Sequence, residues 1–82
     1  MATKADIQDW VERHPVRRWR RQEGLSVHSA ASMLGVSTSS IQQYEAGATH
    51  PRDETIERMA ERMGRTPENL RRAWTNWEAK RP

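Results

Sequence analysis

The feature that most constrains this chain of 82 residues is the short interval between two predicted helices near its middle. Ser26 is a favourable N-cap for a helix that Gly35 closes, and Ser37 is a favourable N-cap for a second helix that ends at Gly47. Only Val36 separates Gly35 from Ser37. The sequence therefore predicts two short helices joined by a very tight turn.

The rest of the chain also has the pattern of helices. Apolar residues recur three and four positions apart, and no stretch alternates with period two. We therefore expect an all-α fold, a compact bundle of five to six helices. Its parts are expected to be an N-terminal helix or arm over residues 1–14, a core over residues 15–65, and a C-terminal helix over residues 66–82 that packs on the core or forms a dimer contact.

Tryptophan stripes lie at both ends of the chain. The first predicted helix, capped by Thr3 or Asp6, places Ile7, Trp10 and Val11 on one side, and the last helix carries Trp74 and Trp77 on one side. Because hydrophobic residues make up only 34% of the chain and Phe is absent, the core should be rich in tryptophan. The two stripes either cover each other within one molecule or take part in a symmetric dimer contact, and we favour the first because both need cover.

The composition argues against several classes of protein. There are 0 cysteines, so neither a disulfide framework nor a thiolate metal site is expected. No stretch approaches the roughly 18 apolar residues that a spanning helix needs. We expect an intracellular protein, cytoplasmic and nucleoid-associated, with no membrane partner.

Catalysis and ligand binding are not expected either. His14, His28 and His50 do not share a helix at the spacing of a metal site, so they are expected at the surface and no metal is expected. No glycine-rich nucleophile turn is present, and so small a chain leaves little room for a preorganised cleft. We expect no enzyme activity, no cofactor and no small-molecule ligand.

The second of the two short helices has an unusual outer side. In the stretch GVSTSSIQQYEAG, residues 35 to 47, Ile41 and Tyr44 share one face at roughly 100° per residue. The other face carries uncharged small or amide side chains: Thr38, Ser39, Gln42, Gln43 and Ala46. Amides can pair with the N6/N7 edge of adenine, and hydroxyls can donate or accept. A helix with this outer side suits the major groove of DNA.

Positive charge lies near this helix in the sequence. The net charge is +3, and four arginines occupy residues 17 to 21. Arginines strengthen binding to phosphates without choosing a sequence. We therefore expect DNA phosphate contacts from Arg17, Arg18, Arg21 and Arg52.

Residues 25 to 51, LSVHSAASMLGVSTSSIQQYEAGATHP, resemble the helix-turn-helix of the phage-repressor and Cro class, also called the xenobiotic-response-element family. The resemblance extends over residues 17 to 64 and is carried by these positions: Leu25, Ser26, Ala31, Leu34, Gly35, Val36, Ser37, Ile41, Glu45, Gly47 and Pro51. It implies a lambda-repressor-like architecture that usually acts as a dimer on an inverted-repeat operator.

The resemblance also implies roles for particular residues. Base contacts are expected from the positions that match Thr38, Ser39 and Gln43, with Gln42 as a further candidate. Arg20 and Glu45 match a structural ion pair that orients the first helix against the recognition helix, which is the helix that enters the groove.

The chain departs from the family pattern at two phosphate-binding places. Val27 stands where the family often has a glutamine, so that contact is either missing or supplied by Ser26, by His28 or by backbone N–H groups. In the loop after the recognition helix, where the family often has basic residues, the chain offers Thr49 and His50, and these two are further expected phosphate contacts.

We therefore expect a sequence-specific regulator of transcription that binds double-stranded DNA, a Cro-like protein or repressor of phage or bacterial origin, with a homodimer as an option. One alternative is an antitoxin that binds a toxin as well as DNA. The other is an adaptor that has the fold but binds only proteins.

Overall fold

Capping residues and prolines decide where the helices of this protein begin and end. A computed structural model describes all 82 residues, which form six α-helices and no β-strand. In chain order the helices are α1 (Lys4–Glu12), α2 (Pro15–Gln22), α3 (Val27–Leu34), α4 (Thr38–Glu45), α5 (Asp53–Met63) and α6 (Pro67–Ala79). None of them is both long and apolar enough to span a lipid bilayer. The expectation of an all-α bundle of five to six helices is confirmed.

Four helices begin at a hydroxyl cap. The side chains of Thr3, Ser26, Ser37 and Thr66 each accept a hydrogen bond from a backbone N–H in the first turn of the helix that follows. Such caps satisfy donors that have no partner within the helix. At the first helix Thr3 is the cap, and Asp6 completes a capping box by accepting from the Thr3 backbone N–H at 2.9 Å, a bond that lowers the pKa of Asp6.

The core lies where α3, α4, α5 and α6 meet over α2. α3 packs on α4 and α5, and α6 packs on α5 and α2. The apolar side chains buried there follow the helical spacing seen in the sequence, and they include Val16, Ala31, Leu34, Ile41, Ile56, Met59, Leu70 and Trp74. Ala30 and Ala31 on α3 are both buried, and their small size allows neighbouring helices to come close.

The tryptophans at the two ends of the chain cover each other within one molecule. The rings of Trp10 and Trp77 stack with centroids 4.0 Å apart and planes inclined by 6°. Each indole N–H donates to the backbone carbonyl oxygen of the other residue, at 2.7 and 2.6 Å. Trp74 is fully buried. The intramolecular option for the two stripes is therefore the one that the structure adopts.

Ile7 does not join this packing, contrary to the sequence expectation. Its exposed fraction is 48%, and Trp10 is the only buried residue of α1. The reason is that α1 is anchored through its last turn, so a residue one turn earlier lies beyond the contact with α6. The apolar stripe correctly predicted a helix but not how much of that helix is covered.

His14 is buried, and the expectation that it lies at the surface is wrong. It caps α2, because its Nδ1 accepts from the Val16 backbone N–H at 3.1 Å. Its ring meets the rings of Trp74 and Trp77 edge-on, with centroids 4.6 and 4.4 Å away. Burial and, to a smaller extent, the charge of Arg17 lower the pKa of His14 to about 3. His14 is therefore a neutral core residue at neutral pH.

Candidate nucleic-acid interface

The turn between α3 and α4 fixes the direction of the recognition helix. Gly35 ends α3 in the left-handed region with φ of 71°, a conformation that a residue with a Cβ adopts at a cost. The backbone N–H of Val36 donates to the Ala31 carbonyl oxygen at 3.0 Å, and Ser37 then caps α4. The chain therefore reverses within a few residues and presents α4 beside α3.

The two sides of α4 differ as its sequence predicts. Ile41, Tyr44 and Glu45 are buried against the other helices. Ser39, Gln42 and Gln43 are exposed, and Thr38 is half-buried at the start of the helix. The outward side therefore consists of hydroxyl and amide groups with no charge.

A buried carboxylate joins the inner side of α4 to α2. Glu45 accepts from Arg20 through both of its oxygens, with Nη2 at 2.9 Å and Nε at 3.0 Å. This is the ion pair that the family resemblance implies. The side chains are almost closed off from water, with exposed fractions of 6% for Glu45 and 12% for Arg20. A bidentate pair holds both planes in one orientation, so it fixes the rotation of α4 relative to α2.

Arg17 takes part in the same network. Its Nη1 lies 3.2 Å from Glu45 Oε1, and its Nη2 lies 2.9 Å from Glu12 Oε1. The hydrogen bond from Arg17 lowers the pKa of Glu12, and the same contact raises the pKa of Arg17. Glu12 in turn reaches Arg21 Nε at 3.3 Å. Three arginines of α2 thus share two carboxylates.

Arg17, which the sequence reasoning assigned to DNA phosphates, lies among carboxylates in the structure. Only 23% of its side chain is exposed, and carboxylates hold both terminal nitrogens. The sequence could not separate it from its neighbours, because Glu12 and Glu45 come from distant helices. Arg17, like Arg20, pairs with Glu45 inside the protein and is not a free cation.

The other residues predicted to contact phosphates are all exposed: Arg18, Arg21, Ser26, His28, Thr49, His50 and Arg52. Some of them have partners within the protein. Besides capping α3, the Ser26 hydroxyl lies 3.1 Å from the hydroxyl of Ser29. The Nδ1 of His50 lies 3.2 Å from Glu78 Oε2. Arg21, which pairs with Glu12, and His50, which lies beside Glu78, are therefore less available to phosphates than their exposure alone indicates.

Two arginines of α5 support the motif in a way that the sequence reasoning missed. Arg62 Nη1 donates to the Met33 carbonyl oxygen at 2.8 Å, and Arg58 Nε donates to the Leu34 carbonyl oxygen at 3.4 Å. These carbonyls belong to the last turn of α3, where they have no partner within the helix. The spacing of Arg58 and Arg62 puts them on one face of α5, but nothing in the sequence shows that α3 lies opposite that face.

The paired helices α3 and α4, with a buried inner side and an exposed polar outer side, define a helix-turn-helix protein. The family model described as helix-turn-helix domain matches residues 14–74, which is most of the chain. The protein therefore belongs to this family, in which membership implies DNA binding. Neither the curated proteins nor the solved structures include a significant match to this chain.

Proposed function

We propose that this protein is a sequence-specific DNA-binding regulator of transcription that inserts α4 into the major groove. The observation that supports this most directly is the division of α4 into two sides. One side is fixed to α2 through Glu45, and the other side offers Ser39, Gln42 and Gln43 to solvent without any charge. A helix that merely covered the core would have no need of an uncharged polar outer side.

The outer side of α4 suits base edges rather than phosphates. The amides of Gln42 and Gln43 can each give one donor and one acceptor to the N6/N7 edge of adenine, and the hydroxyls of Thr38 and Ser39 can donate to or accept from several bases. Groups of this kind discriminate between base pairs. The cations that bind any sequence are expected around them and not among them.

Contacts to phosphates come, in this proposal, from the exposed cations Arg18, Arg21 and Arg52, with His28, Thr49 and the first turn of α3 as further donors. The N-terminal end of α3 carries N–H groups that favour an anion. Arg17 orients α4 instead. In its finer form the proposal is a Cro-like repressor, phage or bacterial, that occupies an inverted-repeat operator as a homodimer and has no enzymatic activity.

A second candidate is an adaptor that has the fold but binds a protein. The observation in its favour is that Glu12 lies beside Arg21 and that Glu78 lies beside His50, so carboxylates reduce the positive potential where phosphates would bind. An antitoxin that binds both DNA and a toxin is intermediate between the two candidates.

The discriminating experiment measures binding to random duplex DNA over a range of salt concentrations, together with selection of bound fragments from a random library. A DNA-binding protein loses affinity with a log–log slope of about −0.9 per phosphate contact. Selected fragments that share two half-sites would support the inverted repeat and the dimer. If no duplex is bound at low salt, the adaptor is favoured. Co-purification of a second small protein together with DNA binding would favour the antitoxin.

Two substitutions distinguish sequence-specific contacts to bases from non-specific contacts to phosphates. We expect Gln43→Ala to cost roughly 1 to 3 kcal/mol on the selected site and almost nothing on random DNA. We expect Arg21→Ala to weaken binding to both DNAs and to lower the salt slope by about one. Gln22→Ala on the exposed side of α2 and Arg72→Ala on the exposed side of α6 are the matched controls. If Gln43→Ala lost the same binding free energy on both DNAs, Gln43 would not be a base-contacting residue.

A further inference from the structure

The segment that follows α4 rests on the two ends of the chain. Gly47, just after the recognition helix, has φ of 73°. A Cβ built on it would lie 2.7 Å from Nη2 of Arg81, 2.8 Å from Cη2 of Trp10 and 3.2 Å from Cη2 of Trp77. The backbone at Gly47 therefore lies directly against the stacked indoles of α1 and α6, at a distance that only glycine allows.

Arg81 fastens this contact. Its Nη2 donates to the Gly47 carbonyl oxygen at 2.7 Å, and its guanidinium carbon lies 4.8 Å from the centre of the Trp10 ring. One turn earlier on α6, Glu78 contacts His50 at the other end of the same loop. Glu78 in the last turn of α6 and Arg81 just beyond the helix thus hold the loop of residues 47–50 at two points.

The backbone of the loop shows what depends on this contact. The Gly47 N–H donates to the Tyr44 carbonyl oxygen at 3.0 Å, and the Ala48 N–H donates to the Gln43 carbonyl oxygen at 2.9 Å. These bonds close the C-terminal end of α4. Holding the Gly47 carbonyl therefore holds the last turn of the recognition helix together with the loop.

The side chains that contact the loop of residues 47–50 lie outside the part of the chain that the family model matches, residues 14–74. Trp10 precedes that part, and Trp77, Glu78 and Arg81 follow it. The match accounts for α3 and α4 but not for what keeps the loop after α4 in place.

We propose that Arg81 is a positioning residue for DNA binding, which holds the end of α4 and the loop of residues 47–50 so that Thr49 can meet the DNA backbone. The proposal rests on the proposed function. Arg81 acts through Gly47 and does not itself contact a phosphate, because its guanidinium is already engaged by a carbonyl and a ring. Its effect on affinity comes from the fraction of molecules in which the loop has the conformation that binds DNA, since the apparent Kd rises as that fraction falls.

The experiment compares Arg81→Ala, Arg81→Lys and Lys80→Ala with the unchanged chain. Lys80→Ala is the matched control because it removes one positive charge from the neighbouring position, and Lys80 makes no hydrogen bond to the loop. Binding to random duplex DNA is measured over a range of salt concentrations. Hydrogen exchange of the Gly47 and Ala48 amides is measured in the free protein, and thermal melting checks that each variant is folded.

We expect Arg81→Ala to weaken DNA binding about tenfold with an unchanged salt slope, and to speed exchange of both amides by a similar factor. Arg81→Lys should recover part of both losses, because a lysine keeps a donor and a charge over Trp10. Lys80→Ala should leave exchange unchanged and lower the affinity by less than Arg81→Ala does.

Three results would overturn the inference while leaving DNA binding intact. They are unchanged exchange at Gly47 and Ala48 in Arg81→Ala, equal losses of affinity in Arg81→Ala and Lys80→Ala, and a salt slope reduced by about 0.9 as for a direct phosphate contact. If the unchanged chain binds no duplex at all, the proposed function fails, and this inference fails with it.

Discussion

The carboxylate of Glu45 should contribute more to the free energy of unfolding than any other charged group of this protein. Glu45→Gln keeps the size of the side chain but removes the charge that Arg17 and Arg20 share. The two guanidiniums would then lie close together, largely shielded from water, with only Glu12 and the Leu25 carbonyl oxygen as remaining partners. The substitution therefore leaves two largely buried positive charges with one carboxylate between them instead of two.

The size of the effect follows from this geometry. Breaking a buried ion pair by neutralising one member costs about 3 to 5 kcal/mol, and the glutamine carbonyl can still accept one hydrogen bond. We therefore expect the free energy of unfolding to fall by about 3 kcal/mol. For a domain of this size that loss lowers the melting temperature by roughly 12 to 24 °C.

Thermal and urea unfolding followed by circular dichroism would measure the loss. The matched control is Asp9→Asn, which breaks a pair with Arg13 in which both side chains are about two-thirds exposed. An exposed pair of that spacing contributes about 0.3 to 0.5 kcal/mol. If Glu45→Gln cost no more than Asp9→Asn, the reasoning about α4 would be refuted. A double-mutant cycle with Arg20→Met would then show whether the two side chains are coupled at all.

Two further predictions concern the core and the loop after α4. The pKa of His14 is about 3 in the folded protein, below its unfolded value of about 6.5, so the unfolded chain binds the extra proton and stability falls as the pH drops through that window. Between pH 7.5 and 5 the free energy of unfolding should fall by about 2 kcal/mol more in the unchanged chain than in His14→Asn. The asparagine can still cap α2, so the comparison isolates the titration of the histidine. Equal falls in the two proteins would mean that His14 is not buried in its neutral form. Gly47→Ala should lower the free energy of unfolding by about 2 to 4 kcal/mol, because it adds a clash to a left-handed backbone. Gly24→Ala should lower it by only about 1 kcal/mol, since nothing lies within 4 Å of its added Cβ. Equal losses in urea unfolding would show that the space around Gly47 is not tight.

Local signals in the sequence sufficed for the secondary structure. Caps such as Ser26 and Ser37 act over three residues, so the sequence alone contains the whole interaction. The same holds for the helical spacing that identified Ile41 and Tyr44 as the inner side of α4. The limits of the two helices and the exposed outer side therefore followed from residues that are near neighbours in the chain.

Interactions between distant residues could not be predicted in this way. Arg17 and Arg18 are adjacent and chemically identical, yet only the first meets Glu45, which lies 28 residues further along. The burial of His14 depends on Trp74 and Trp77, which come from the far end of the chain. Arg81, which no motif covers, donates to the carbonyl oxygen of Gly47, 34 residues away. In each case the decisive partner lies far away in the chain, and a single sequence does not reveal it.

The recognition helix is consequently held at both of its ends by different means. At its start the tight turn at Gly35 and the cap at Ser37 limit where the helix can point, and two arginines of α5 hold the preceding helix in place. At its end Glu45 fixes the rotation about the helix axis, and the loop beyond it lies on the tryptophans. A rigid helix loses little conformational entropy when it enters a groove, so a short row of uncharged side chains can still give useful discrimination. Three of the four arginines of α2 pair with carboxylates of the protein. If the proposed function holds, the orientation of α4 therefore matters more for the choice of sequence than the number of free cations around it.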